Sequence, residues 1–177
     1  VQVTTTIEHL ADLPELLASL RRLFDLDADP VAVDQALGMD PLLAPAVNAA
    51  PGTRLPGTVD PTEMLVRAVL GQQVSVASAR TAVQRLVDVL GEPASPAFAN
   101  DTVAKVFPSA EAIAAHAHAV VRGPATRTRA LIAATEAIAT GELILDAGRT
   151  LAETTAALEA IPGIGPWTSH YVALRVL

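Results

Sequence analysis

The chain has 177 residues, 51% of them hydrophobic and none of them cysteine, with a formal net charge of -7 and a pI near 4.9. That is one globular domain's worth of sequence with material for a substantial core, and within it disulfides and a cysteine-ligated iron–sulfur cluster are excluded. No run approaches ~20 uninterrupted apolar residues and no secretory signal pattern opens the chain, so the expectation is a soluble intracellular protein without a membrane span.

In chain order, VQVTTTI (1–7) alternates like a β-strand with no partner strand downstream. From about Leu10 to Phe24, Leu13, Leu16, Leu17, Leu20, Leu23 and Phe24 recur at helical spacing. A short helix is expected from Pro30 to Leu37, closed by Gly38, and Pro51 to Pro61 is too rich in Pro and Gly for anything but a loop. Asp60 caps the next helix, with Pro61 at its first position and Glu63 where a capping box places it. That helix halts at Gly71, and after a break holding Gln72 and Gln73 another runs from about Ser75 to Leu90, with Gly91 as its C-cap.

Glu92 to Pro108 reads as an irregular connection. Helices are then expected from Ser109 to Val121, from Thr126 to Thr140 closed by Gly141, and from Leu151 to Ala160, with a last one led by Pro166. The plan is an all-α helical bundle preceded by one orphan strand. The chain opens without Met and stops at Leu177 with no polar cap on its last helix, which reads as a segment of something longer.

The most informative stretch is LEAIPGIGPWTSHYVALRVL, 158–177. Pro162 ends the first arm, Gly163 and Gly165 permit unusual φ values and close backbone approach, and Ile164 packs inward between them. What stays outward is backbone N–H at the start of a helix, a site suited to a phosphate. Trp167 and Tyr171, the only Trp and Tyr, share one helix face. Such a pair fills a core as readily as it forms a platform; beside an anion-binding turn, a stacking platform for a base is the better reading.

PGIGPWTSHYVALR closely resembles the hairpin of the AlkA-like 3-methyladenine DNA glycosylases, in the helix-hairpin-helix glycosylase superfamily. RAVLGQQVSV (67–76) resembles the helix and loop that those enzymes push into the duplex, and LRRLFDLDADP (20–30) their domain entry. The resemblance implies an end of an N-terminal α/β domain over 1–24, and a helical glycosylase core over 25–177 that is cut inside the second hairpin helix. It implies a base-excision repair enzyme that flips alkylated purines of the 3-methyladenine or 7-methylguanine type out of double-stranded DNA and hydrolyses their N-glycosyl bond.

By that resemblance Trp167, Tyr171 and Gln72 line the base pocket and Gln73 is the wedge that fills the vacated stack, where the best known relatives carry Leu. Pro162, Gly163, Ile164, Gly165 and Thr168 form the phosphate-binding hairpin. The backbone carbonyls of Glu159, Ile161 and Ile164 hold a monovalent cation, Na or K, and no other cofactor is implied. Relatives that also cut the backbone attack C1′ with a lysine where this chain has Trp167, so a monofunctional glycosylase is expected. The family's catalytic Asp follows the second hairpin helix, beyond Leu177, so the 177 residues alone are expected to be inactive. A monomer, cytoplasmic and bacterial-type, working on the nucleoid, completes the expectation.

The charge opposes DNA binding, yet its distribution softens the objection: residues 1–60 hold 9 acids against 3 Arg, whereas 61–177 hold 10 acids against 9 Lys plus Arg. Arg122, Arg127 and Arg129 either touch phosphate or form a solvated helix start, the latter slightly preferred. His116 and His118 face different ways and His9 and His170 stand alone, so no side-chain metal site is expected. Two alternatives remain: a non-enzymatic helix-hairpin-helix module that grips DNA or scaffolds repair, and a helical protein-interaction domain.

Overall fold

A computed structural model describes residues 2–100 and 103–177. It is all-helical, as the hydrophobic spacing predicts, and its contacts divide the chain into two compact units, Val1–Val59 and Asp60–Leu177.

The first unit holds a 3-10 turn at Leu10–Asp12 and three helices, α1 (Leu13–Leu23), α2 (Pro30–Gly38) and α3 (Ala44–Ala49). Asp29 caps α2 by accepting the amides of Val31 and Ala32. The loop at 54–57 folds back onto the end of α1, where Arg54 donates to the carbonyls of Asp25 and Ala28 and the Gly57 amide reaches Leu23 O at 3.1 Å. The expected strand over 1–7 does not form. Residues 2–7 take no strand ladder among the described residues, because a strand needs an edge to pair with and none is present; Val1 lies outside the described residues. Helix α3, six residues long, was not expected, since Pro51 and Gly52 mask the short Ala-rich turn before them.

In the second unit α4 (Pro61–Leu70) is the central helix. Asp60 caps it through the amides of Thr62 and Glu63, and Pro61 supplies the helical φ at its start. Leu65, Val66 and Val69 are fully buried and Leu70 nearly so, so α4 is apolar on most of its circumference. Around it pack α5 (Val76–Leu90), α7 (Ala125–Ala139) and α9 (Pro166–Val176), while α6 (Ala110–Val120) joins α5 to α7 and α8 (Leu151–Glu159) lies on α9. Leu86, Ile113, Leu131, Leu158 and Val172 complete one continuous core.

The connection read as irregular contains extended pairing. The Ala94 amide reaches Ala104 O at 3.0 Å and the Val106 amide reaches Glu92 O at 2.9 Å, about an antiparallel bridge between Pro93 and Lys105. Gly91 is the C-cap of α5, as expected, and this pairing is what requires a glycine there. Its φ is -70°, and a Cβ there would stand 2.6 Å from the carbonyl oxygens of Val106 and Val87.

A full capping box closes the start of α8, with Thr150 Oγ1 accepting the Glu153 amide and Glu153 Oε2 accepting the Thr150 amide at 2.8 Å. The Thr150 amide, then its hydroxyl, holds the Glu153 carboxyl below the ordinary carboxylate range. Thr150→Ala should lower the unfolding free energy by about 1 kcal/mol in urea denaturation. Because the folded carboxyl titrates low, the box contributes above the ordinary carboxylate range and is lost as pH falls through its folded value. The variant should therefore lose less stability than the parent on acidification.

Candidate nucleic-acid interface

Helices α8 and α9 are joined by the turn over 160–165. Its backbone folds tightly, with the Ile161 amide on Leu158 O at 3.1 Å and the Ile164 amide on Ile161 O at 3.0 Å, and both isoleucines enter the core. Gly163 needs to be glycine twice over: its φ is +96°, and a Cβ would stand 2.7 Å from Ala130 Cβ. Gly165 has an ordinary φ of -103° and a Cβ there would meet nothing within 4 Å. Its missing side chain leaves the backbone open to something from outside.

No side chain caps α9. The first amide to turn back is that of Ser169, on Gly165 O at 3.0 Å, and the amides of Trp167 and Thr168 take no backbone carbonyl among the described residues. Those two N–H groups carry the positive end of the helix dipole. Pro162 is exposed, whereas Thr168 is buried.

Gly71, Gln72 and Gln73 form the break between α4 and α5, and they lie against this turn. Gln72 Nε2 donates to Gly163 O and to Thr168 Oγ1, each at 3.1 Å, and its own carbonyl accepts from Arg127 Nη2 at 2.9 Å. Gln72 thus ties the break to the hairpin, and its amide faces the turn rather than the aromatic pair. Gln73 is exposed with φ +55°, a left-handed conformation that costs a non-glycine residue about 1 kcal/mol or more. A cleft of about 450 Å³ at this junction is lined by Gly71, Gln72, Gln73, Gly165, Trp167 and Thr168 among others.

Trp167 is 70% exposed, so it is not a core residue, and its ring stacks on that of Tyr171 with centroids 5.2 Å apart and planes 11° from parallel. The pair walls a second cleft of about 250 Å³, closed opposite by Val74, Val76, Ala79 and Val83 and flanked by Arg67 and Arg80. The arginines did not stand out in the sequence. A usable signal was there, because Val76, Ala79, Arg80 and Val83 follow the 3.6-residue period of one face of α5.

Of the three arginines near the start of α7, Arg127 is engaged with Gln72, while Arg122 and Arg129 are exposed. Lys105 donates to Asp88 O at 2.5 Å and lines none of the clefts at the hairpin. Among the described residues no group of three or more His, Asp or Glu side chains could hold a metal ion, and no helix is long and apolar enough to cross a membrane.

Comparison with known proteins places this arrangement. The chain superposes on a 3-methyladenine DNA glycosylase from Archaeoglobus fulgidus with a TM-score of 0.78 over 98% of its length and 60% of that chain, at 19% identity. It also superposes on an 8-oxoguanine glycosylase/lyase from Clostridium acetobutylicum in complex with double-stranded DNA, with a TM-score of 0.74 over 92% of its length and 56% of that chain, at 20% identity. The fold is that of the helix-hairpin-helix DNA glycosylases.

Sequence narrows the class. Residues 1–60 match the AlkA N-terminal domain family. The whole chain is 41% identical to a probable bifunctional transcriptional activator/DNA repair enzyme AlkA of Mycobacterium tuberculosis, spanning 35% of that protein. Over 91% of its length it is 37% identical to DNA-3-methyladenine glycosylase 2 of Escherichia coli, spanning 55% of it. The chain is thus a homologue of AlkA-like DNA repair enzymes, carries an AlkA N-terminal domain match, and spans about a third to a half of the length of these relatives.

The two hairpin glycines separate fold from interface. Gly163→Ala should cost about 2 kcal/mol or more in urea denaturation, through its φ and the Ala130 contact. Gly165→Ala should cost less than about 1 kcal/mol, since only the preference of a helix N-cap opposes it.

Proposed function

We propose that this chain is the DNA-gripping and base-binding part of a monofunctional glycosylase that removes alkylated purines from double-stranded DNA during base-excision repair. The observation that carries the reading is Trp167, a large aromatic left 70% exposed, stacked on Tyr171 and set over a cleft beside an uncapped helix start. A protein spends no such surface on its own core. A flipped base would lie against that aromatic face, and alkylation at a ring nitrogen, which makes the base cationic, strengthens the contact and makes the base a better leaving group.

Each neighbouring group then has a task. The free amides of Trp167 and Thr168 and the open backbone at Gly165 take a phosphate and fix the register of the duplex without reading sequence. Gln73, held outward by its left-handed backbone, enters the stack that the base leaves, and its amide can hydrogen-bond to the orphaned partner. Gln72 keeps the wedge and the hairpin in one geometry. Trp167 stands where a lyase would need a lysine, and indole cannot attack C1′, so the product is an abasic site.

A monovalent cation at the turn fits the oxygens present. The carbonyls of Glu159 and Ile164 accept no backbone N–H among the described residues, and that of Ile161 accepts one. Such an ion would reinforce the pull of the turn on a phosphate.

Hydrolysis needs a carboxylate beside the oxocarbenium-like sugar. Among the described residues no Asp or Glu lines the two clefts at the hairpin, which favours a second reading, a module that only grips DNA, for these 177 residues taken alone. The chain should accordingly bind duplex DNA in a salt-dependent way and release no methylated base; turnover by it would overturn this division.

In a longer parent protein, Trp167→Ala should reduce excision of methylated purine by about tenfold or more, since a stacked base is worth roughly 1–3 kcal/mol. Affinity for undamaged duplex should stay within about twofold. Equal losses in both assays would contradict separate roles for ring and backbone.

A further inference from the structure

The clefts at the hairpin follow one another. The one at the turn shares Gly71 and Trp167 with the aromatic cleft, and the aromatic cleft shares Arg67, Arg80 and Val83 with a wider groove of about 980 Å³ bounded by α4, α5 and residues 103–107. A base that enters past Gln73 and stacks on Trp167 therefore meets the two arginines at the end away from the turn.

The two arginines differ. Arg67 is ion-paired with Glu63 at 2.5 Å and stands 6.0 Å from the centre of the Phe107 ring, so its charge is balanced and its guanidinium engaged. The Arg80 side chain has no hydrogen bond or ion pair among the described residues, and it interrupts a face of α5 otherwise made of Val76, Ala79 and Val83. A guanidinium only donates, and this exposed one at the end of the cleft is available to an acceptor on whatever lies there.

We propose that Arg80 is a specificity-determining residue of this cleft: it donates to a carbonyl oxygen on the far edge of the stacked base, and so favours 6-oxo, guanine-type bases over 6-amino, adenine-type ones. This rests on the base-binding reading above. On a guanine-type base O6 offers lone pairs in the ring plane, whereas an adenine-type base puts an N–H₂ there and sets donor against donor. A contact of this kind separates bases by roughly five- to a hundredfold, and a site built around it rejects an analogue that cannot accept.

Trp167 is the chain's only tryptophan, so its fluorescence reports the cleft without requiring turnover. The test titrates the 177-residue chain and its Arg80→Ala variant with free 7-methylguanine and free 3-methyladenine, with circular dichroism to verify that this exposed substitution leaves the helices intact. The parent chain should bind 7-methylguanine at least about fivefold more tightly. Arg80→Ala should bring the two dissociation constants within about twofold by weakening 7-methylguanine alone. Equal affinities in the parent chain, or equal weakening of both bases in the variant, would remove the role of Arg80 and leave the stacking platform standing. If neither base changes Trp167 emission, the base-binding reading itself fails and this proposal with it.

Discussion

Everything at the hairpin depends on the burial of α4. Its side chains at Leu65, Val66, Val69 and Leu70 are enclosed by α5, α7 and α9, so the helix cannot slide or rotate without opening the core. The Gly71–Gln73 break is the C-terminal end of that helix. Since α4 also packs directly on α9, Gln73 and the aromatic pair are carried by two faces of one close-packed contact, and the two hydrogen bonds from Gln72 secure a spacing that packing sets. Precision at the surface is inherited from an apolar interior.

The electrostatics follow a similar economy. The chain is acidic, yet the surplus lies before residue 61, and the part that carries the hairpin holds 10 acids against 9 basic residues. On the proposed reading, attraction for a phosphate would come from oriented amides at the start of α9 rather than from a basic patch. Such a source is short in range and tied to one position. It suits a protein that must hold DNA in a single register while a nucleotide is displaced, more than one that must gather DNA from a distance.

Much of this was legible in the sequence, and for local reasons. Asp60, Ser75, Ser109 and Pro166 mark helix starts because capping and fixed φ act over three or four residues, and the Pro-Gly-Ile-Gly turn declares itself the same way. What escaped depends on contacts across the chain. Gln72 meets Gly163 and Thr168 from 91 and 96 residues away, and Arg127 meets Gln72 from 55, so no window of sequence contains both partners. Gly91 caps α5 as its place after Leu90 predicts, but what requires a glycine there is remote in sequence, since a Cβ would meet the carbonyl of Val106. The strand expected over 1–7 illustrates the opposite failure, since alternation specifies a face but supplies no neighbour to pair with.

Gln73 carries a final implication. A glycine would sit at φ +55° without strain, and the folded chain would gain by the exchange, yet a side chain is present. Held in that conformation, the residue projects from the bend at a fixed angle and cannot relax into either flanking helix. On the proposed reading the bend would work as a preloaded tooth: its conformation is set during folding, so meeting a duplex would demand little further ordering of Gln73. Engineering this chain for thermal stability by consensus with ordinary helix breaks would blunt that tooth first.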